Sequence, residues 1–220
     1  MSLKADKKPS RITRESFDEV VEVKVGPKAT VFQIHKGLLC KAAPYFKVAF
    51  EGQFKEAEEQ VLECNDEDVT MFKHFQYWLY TNNIIDESET VKEMTWQSIV
   101  SLYIFAEVRD IPDLQNAAMD IMINKVSLEH RIPAREFHQI YEQTDENSPL
   151  RRIAIDWLAH LGRLVPAEWL VEFDKDTFPK EALVDLVFAQ YELRVGTRAL
   201  IKDFGALRSD YHIKPPGAAV

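Results

Sequence analysis

The stretch that decides the fold is Val31-Phe32-Gln33-Ile34-His35-Lys36-Gly37-Leu38-Leu39, followed shortly by Ala43-Pro44-Tyr45-Phe46. Phe32 and Ile34 stand two apart, the spacing that puts both side chains on one face of a strand. From Leu38 the period changes. Leu38, Leu39, Ala42, Tyr45, Phe46, Ala49 and Phe50 recur three and four apart, as they do on a helix. Pro44 interrupts that run, because proline has no amide hydrogen and is accommodated in the first turn of a helix. The segment therefore predicts a strand leading into two short helices, the second opening at Pro44 and closing near Gly52.

Upstream, Val21, Val23 and Val25 alternate with Glu22 and Lys24, the pattern of a half-buried strand, and Gly26-Pro27-Lys28 is a turn. These residues predict a hairpin with the Phe32 strand. Downstream, Gln60 to Glu63 reads as a short third strand. A helix is expected from Asp66, capped by Asp66 or Asn65, with Val69, Phe72, Phe75, Trp78 and Leu79 as its buried stripe. Beyond a polar loop over 86–93 every pattern is helical. Ile99 to Val108 is apolar nearly all round and predicts a buried helix. Pro112 and Asp113 open a second, with Leu114, Ala117, Ala118, Ile121 and Met122 on one face. A third stripe runs Leu150, Ile153, Ala154, Trp157, Leu158, Leu161 and Leu164. Pro166 opens a short helix with Trp169, and Leu183, Leu186, Val187 and Tyr191 predict a last buried stripe. The fold class is α+β: a small mixed sheet flanked by helices, then an all-helical C-terminal extension.

Composition narrows the function. The 220 residues carry a net charge of −9, and 46% are hydrophobic. Residues 1–16 hold five basic and two acidic side chains, so the rest of the chain is more acidic than the total. An acidic body repels phosphate backbones, which argues against nucleic-acid binding. The aromatic run Phe72, Phe75, Tyr77, Trp78 and Tyr80 is at helical spacing and is read as core, not as a base-stacking platform. The charged first ten residues carry no apolar leader, and no apolar run reaches membrane-spanning length. With two cysteines, Cys40 and Cys64, a reducing compartment is expected: cytoplasm, nucleus or both. Nucleophile elbows, phosphate-binding glycine loops and zinc-ligand spacings are all missing from the sequence, so neither a catalytic residue nor a cofactor or metal site is assigned. His35, at the strand-to-helix junction, is read as structural, donating from its ring to a local carbonyl.

In series, Phe32-Gln33-Ile34-His35-Lys36-Gly37-Leu38-Leu39, Ala43-Pro44-Tyr45-Phe46, Gly52-Gln53-Phe54-Lys55-Glu56-Ala57 and Phe75-x-x-Trp78-Leu79-Tyr80-Thr81 resemble the BTB/POZ (Skp1-like) family. The flavour is that of fungal members, with Ser148-Pro149-Leu150-Arg151-Arg152 as a further likeness. The resemblance makes Phe32, His35, Lys36, Leu39, Tyr45, Phe46, Trp78 and Tyr80 its fold signature. With the composition of its ends, the chain is expected to divide into a disordered basic tail over 1–16, a BTB/POZ domain over 17–130, a helical extension over 131–210 and a disordered tail over 211–220. Ala43 stands where the family usually has a capping serine, and Val20 where it commonly has an aspartate.

The same resemblance implies protein partners and no enzyme. Family members that adapt substrates to a cullin ubiquitin ligase carry a hydrophobic-x-Glu motif after the Tyr-Phe helix, and Phe54-Lys55-Glu56 matches it in kind and place. Phe54 then fills a partner pocket while Glu56 meets a basic rim; the alternative is that Phe54 packs on its own domain. Strongly dimerising members swap a helix that precedes the first strand. Pro9 and its basic neighbours disfavour such a helix, so a weak or atypical homodimer is expected. A self-associating scaffold or transcriptional co-regulator without cullin binding is the other reading, and an enzyme of unrecognised class is a third.

Overall fold

The computed structural model describes residues 14–160, 173 and 176–214. Two compact units divide the chain, one running through Asn83 and including Arg109–Ile111, the other comprising Ile84–Val108 and the chain from Pro112 onward.

In the first unit, β1 (Val20–Val25) and β2 (Thr30–His35) form the expected antiparallel hairpin, with Val23 opposite Phe32 and Val21 opposite Ile34. Gly26 takes φ +73° at the turn, where a Cβ would meet the Val69 side chain at 3.1 Å. β3 (Val61–Cys64) pairs parallel to β1 on its other side, giving the order β2-β1-β3 and a mixed sheet. Val21, Val23, Val25, Phe32, Ile34, Leu62 and Cys64 point into the core.

α1 (Lys36–Ala42) and α2 (Pro44–Glu51) break where proline required it. A five-residue helix, α3 (Lys55–Glu59), follows, and then α4 (Val69–Thr81) after β3. The cap of α4 is Asp68, not Asn65 or Asp66: its carboxylate accepts from the Met71 amide at 2.7 Å. Phe72, Phe75, Trp78 and Leu79 are buried as expected, with Met71 in place of Val69. Ring contacts Phe32–Phe72, Phe72–Phe75 and Phe46–Phe75, with centroids 4.8, 5.4 and 5.8 Å apart, join sheet, α4 and α2. Of the aromatic run, Phe72, Phe75 and Trp78 are core, while Tyr77 and Tyr80 are half-buried.

α4 also closes one edge of the sheet. Along β2 the groups facing away from β1 belong to Val31, Gln33 and His35. The Gln76 side-chain amide donates to the Gln33 carbonyl at 3.4 Å, and the Tyr80 hydroxyl accepts from the His35 amide at 3.2 Å.

The second unit is helical. α5 (Trp96–Val108) and α6 (Pro112–Glu129) form a pair, and α7 (Phe137–Gln143), α8 (Pro149–Ala159) and α9 (Lys180–Val195) belong to the same unit. α5 is buried from Ser98 to Ala106 save for a partly exposed Ser101, as its all-round apolarity predicts. α6 buries Leu114, Ala118, Met119, Met122, Ile123 and Val126, so its seam is turned slightly from the expected one; Ala117 and Ile121 sit at its margin. α8 buries Leu150, Ile153, Ala154, Trp157 and Leu158. Leu161, Leu164, Pro166 and Trp169 lie outside the described residues.

Three expectations are corrected. Arg14–Phe17 form a 3-10 turn with Ser16 buried, because Lys41 Nζ donates to the Ser16 hydroxyl at 2.7 Å. Order therefore starts before Phe17. At the other end, Tyr211 is buried with its hydroxyl 2.9 Å from the Asp156 carboxylate, and the Ile213 amide donates to Asn116 at 2.7 Å. Residues 211–213 are thus packed, not a disordered tail, and residues 215–220 lie outside the described residues. Third, Val187 and Tyr191 of α9 face solvent and Leu186 is half-buried, while the buried residues are Ala182 and Ala189.

Candidate interaction site

The signature residues first set the scaffold. Leu39, Phe46 and Trp78 are buried in the core, and Lys36 pairs with Glu19 at 2.9 Å. His35 meets a phenol where a carbonyl was expected. The Tyr80 hydroxyl accepts from the His35 amide at 3.2 Å and is hydrogen-bonded to the ring Nδ1 at 2.8 Å. The ring is clasped edge-on by Phe17 at 5.0 Å and Tyr80 at 5.8 Å. His35 is a structural joint between strand end and α4.

Tyr45 departs from its expected core role. It is 42% exposed, with its ring edge-on to Phe46 and the Arg109 guanidinium 5.1 Å from its centroid. Arg109 in turn pairs with Glu67 at 2.7 Å. Neither Arg109 nor Glu67 belongs to any motif, and sequence reasoning missed both.

α2, Gly52 and α3 build an exposed corner. Phe46 and Phe50 anchor α2 inward, which leaves Tyr45 and Val48, three apart, on its outer face. α2 stops at Gly52, where a Cβ would lie 2.3 Å from the Val48 carbonyl oxygen. The chain then turns through Phe54, which precedes α3 in an extended conformation, and its carbonyl accepts from the Ala57 amide at 3.0 Å. α3 ends on Gln60 at φ +54°, and the Gln60 side-chain amide donates back to the Phe50 and Ala57 carbonyls at 3.3 and 2.5 Å. The corner is thus fixed at both ends. Phe54 is 58% exposed, Glu56 is half-buried in the first turn of α3, and Glu58 and Glu59 are exposed beside it.

The thiols are not activated. Burial, then the neighbouring Glu51, pushes Cys40 up to about 11, and burial likewise raises Cys64. Among the described residues, no group of three His, Cys, Asp or Glu side chains is placed to hold a metal ion, and no helix is long and apolar enough to cross a membrane.

The Ser148–Arg152 segment also has a physical role. Ser148 caps α8 through the Leu150 amide and Pro149 takes its first turn. Arg151 donates to the Tyr141 and Thr144 carbonyls at the end of α7, and Arg152 donates to the Asp210 carbonyl, its guanidinium 5.3 Å from the Tyr211 ring. The pair ties two neighbouring segments to α8.

The first unit is thus a small mixed sheet flanked by helices, with an exposed apolar corner at α2 and α3. Residues 13–125, just over half the chain, match the BTB/POZ domain. The chain belongs to the BTB/POZ family, whose domains mediate protein–protein interaction and dimerisation.

Proposed function

We propose that this protein is a non-catalytic adaptor of the cytoplasm or nucleus that docks a cullin-type ubiquitin-ligase scaffold through the α2–α3 corner. The observation that carries the reading is the exposure of Phe54, 58%, on a backbone held by Gly52 on one side and Gln60 on the other. A rigid exposed aromatic loses little side-chain entropy on docking and fits the profile of a binding hot spot. Tyr45 and Val48 extend the apolar surface on α2, and the carboxylates of Glu56, Glu58 and Glu59 favour a partner with a basic rim.

Replacing Phe54 and Glu56 together by alanine is expected to weaken binding to a co-expressed cullin N-terminal domain by about 30-fold or more, the scale of one hot-spot loss. The measurement is co-purification followed by isothermal titration. Undiminished binding by a double variant with an unchanged thermal midpoint would reject the assignment.

A further inference from the structure

Helix α9 is built inside out. Its seam with the rest of the second unit consists of Ala182 and Ala189, fully buried, with Leu186 and Leu193 half-buried between and after them. At about 100° per residue, the opposite side of the helix carries Val184, Phe188, Tyr191 and Val195, with Val187 beside them. Val187, Phe188 and Tyr191 are 68%, 64% and 63% exposed. Single exposed apolar side chains are ordinary, but a continuous stripe that includes two aromatics marks an interaction surface.

The spacing of the stripe, four then three then four, is that of a heptad seam. Its rims decide what fits. Lys180, Val187 and Arg194 flank it on one side, Asp185 and Glu192 on the other, so one rim is basic and the other acidic. A second copy laid parallel sets each basic rim against the acidic rim of its mate. The heptad rule then puts Lys180 opposite Asp185 of the other copy, twice by symmetry. An antiparallel copy sets like against like and brings Asp185 toward Glu192 of the other copy. Arg198 pairs with Glu192 at 3.0 Å but is shared with Asp156 at 2.8 Å, so it relieves that repulsion in part.

We propose that α9 is a self-association seam on which two copies pair in parallel, with Val184, Phe188, Tyr191 and Val195 forming the buried layers. The sixteen-residue helix is about 24 Å long. It therefore falls short of the roughly 800 Å² per partner of a stable interface, and the pairing is reversible and concentration-dependent.

Sedimentation velocity of the full chain from micromolar to near-millimolar concentration tests this. The weight-average mass of the wild type is expected to rise with concentration. Phe188→Glu with Tyr191→Glu should remove that step while leaving circular dichroism unchanged, because both positions are exposed. Orientation is read separately, by mild oxidation and peptide mass spectrometry. Val184→Cys is expected to give a disulfide joining position 184 of the two copies. A wild-type mass that is independent of concentration, as for a helix that receives a different protein, overturns the proposal. So does a double glutamate variant that associates as strongly as the wild type. A Val184→Cys, Val195→Cys variant that links 184 to 195 between copies, and not 184 to 184, overturns the parallel arrangement.

Discussion

Helices α5 and α9 belong to the same unit and carry long apolar runs, yet they use them in opposite ways. α5 buries nearly every residue from Ser98 to Ala106, including Tyr103 and Phe105, whereas α9 buries two alanines and turns its valines, phenylalanine and tyrosine outward. The difference lies in side-chain size at the seam. Alanines at positions 182 and 189 let α9 approach closely; the Gln190 side chain donates to the Ala159 carbonyl at 2.8 Å and the Tyr141 hydroxyl to Asp185 at 2.8 Å. Close packing through small residues leaves no room on that side for the large ones. Periodicity reports that a helix has a face. It does not report which face turns inward.

The comparison breaks most sharply at Phe105. It is 2% exposed, and Phe105→Ala is expected to cost about 3–5 kcal/mol in urea unfolding through lost burial and a residual cavity. A smaller effect is expected at Glu107, on the same helix. Burial raises its carboxyl pKa from the ordinary 4.5, against the weaker opposing influence of the Ser148 hydroxyl that donates to it at 3.1 Å. A raised acid contributes stability while protonated, below its unfolded value, and loses that contribution as pH rises through the folded value. Glu107→Gln should therefore raise the thermal midpoint at pH 8, with the gain shrinking toward zero at pH 4. A gain that does not depend on pH would show that the carboxylate is not penalised by its site. The smallest effect is expected on α9: Phe188→Ala should change stability by no more than about 0.5 kcal/mol. A loss there comparable to that of Phe105→Ala would mean that the outer stripe is already covered within one chain.

Much of the first unit was legible because its signals are local. Alternating valines, a Gly-Pro turn and a proline inside a helical run each act through the backbone of a few neighbouring residues, and the hairpin and the α1–α2 break followed. α3 was missed because Lys-Glu-Ala-Glu-Glu has no apolar period to read. The cap of α4 fell on Asp68 because any of several adjacent polar residues has the right chemistry, and the geometry of the chain leaving β3 selects among them. At the candidate site, Phe54 and Glu56 were named by motif and Gly52 as the close of α2, but Gln60, read as a strand residue, instead ties down the end of α3 through its side chain, a contact that no local pattern marks. Tyr45 belongs to the same apolar run, yet Phe46 and Phe50 set the phase of α2 and leave it outward, where its ring meets Arg109, more than sixty residues away in sequence.

The side chains of Gln76 and Tyr80 along the margin of β2 bear on how the protein behaves when crowded. A bare strand margin is a template on which another chain can polymerise. With the Gln33 carbonyl and the His35 amide already engaged by α4, a foreign strand arriving there must first displace two native bonds. Runaway strand addition is thereby discouraged on that flank, and Gln76→Ala together with Tyr80→Phe marks the place where resistance to fibril growth would first be lost.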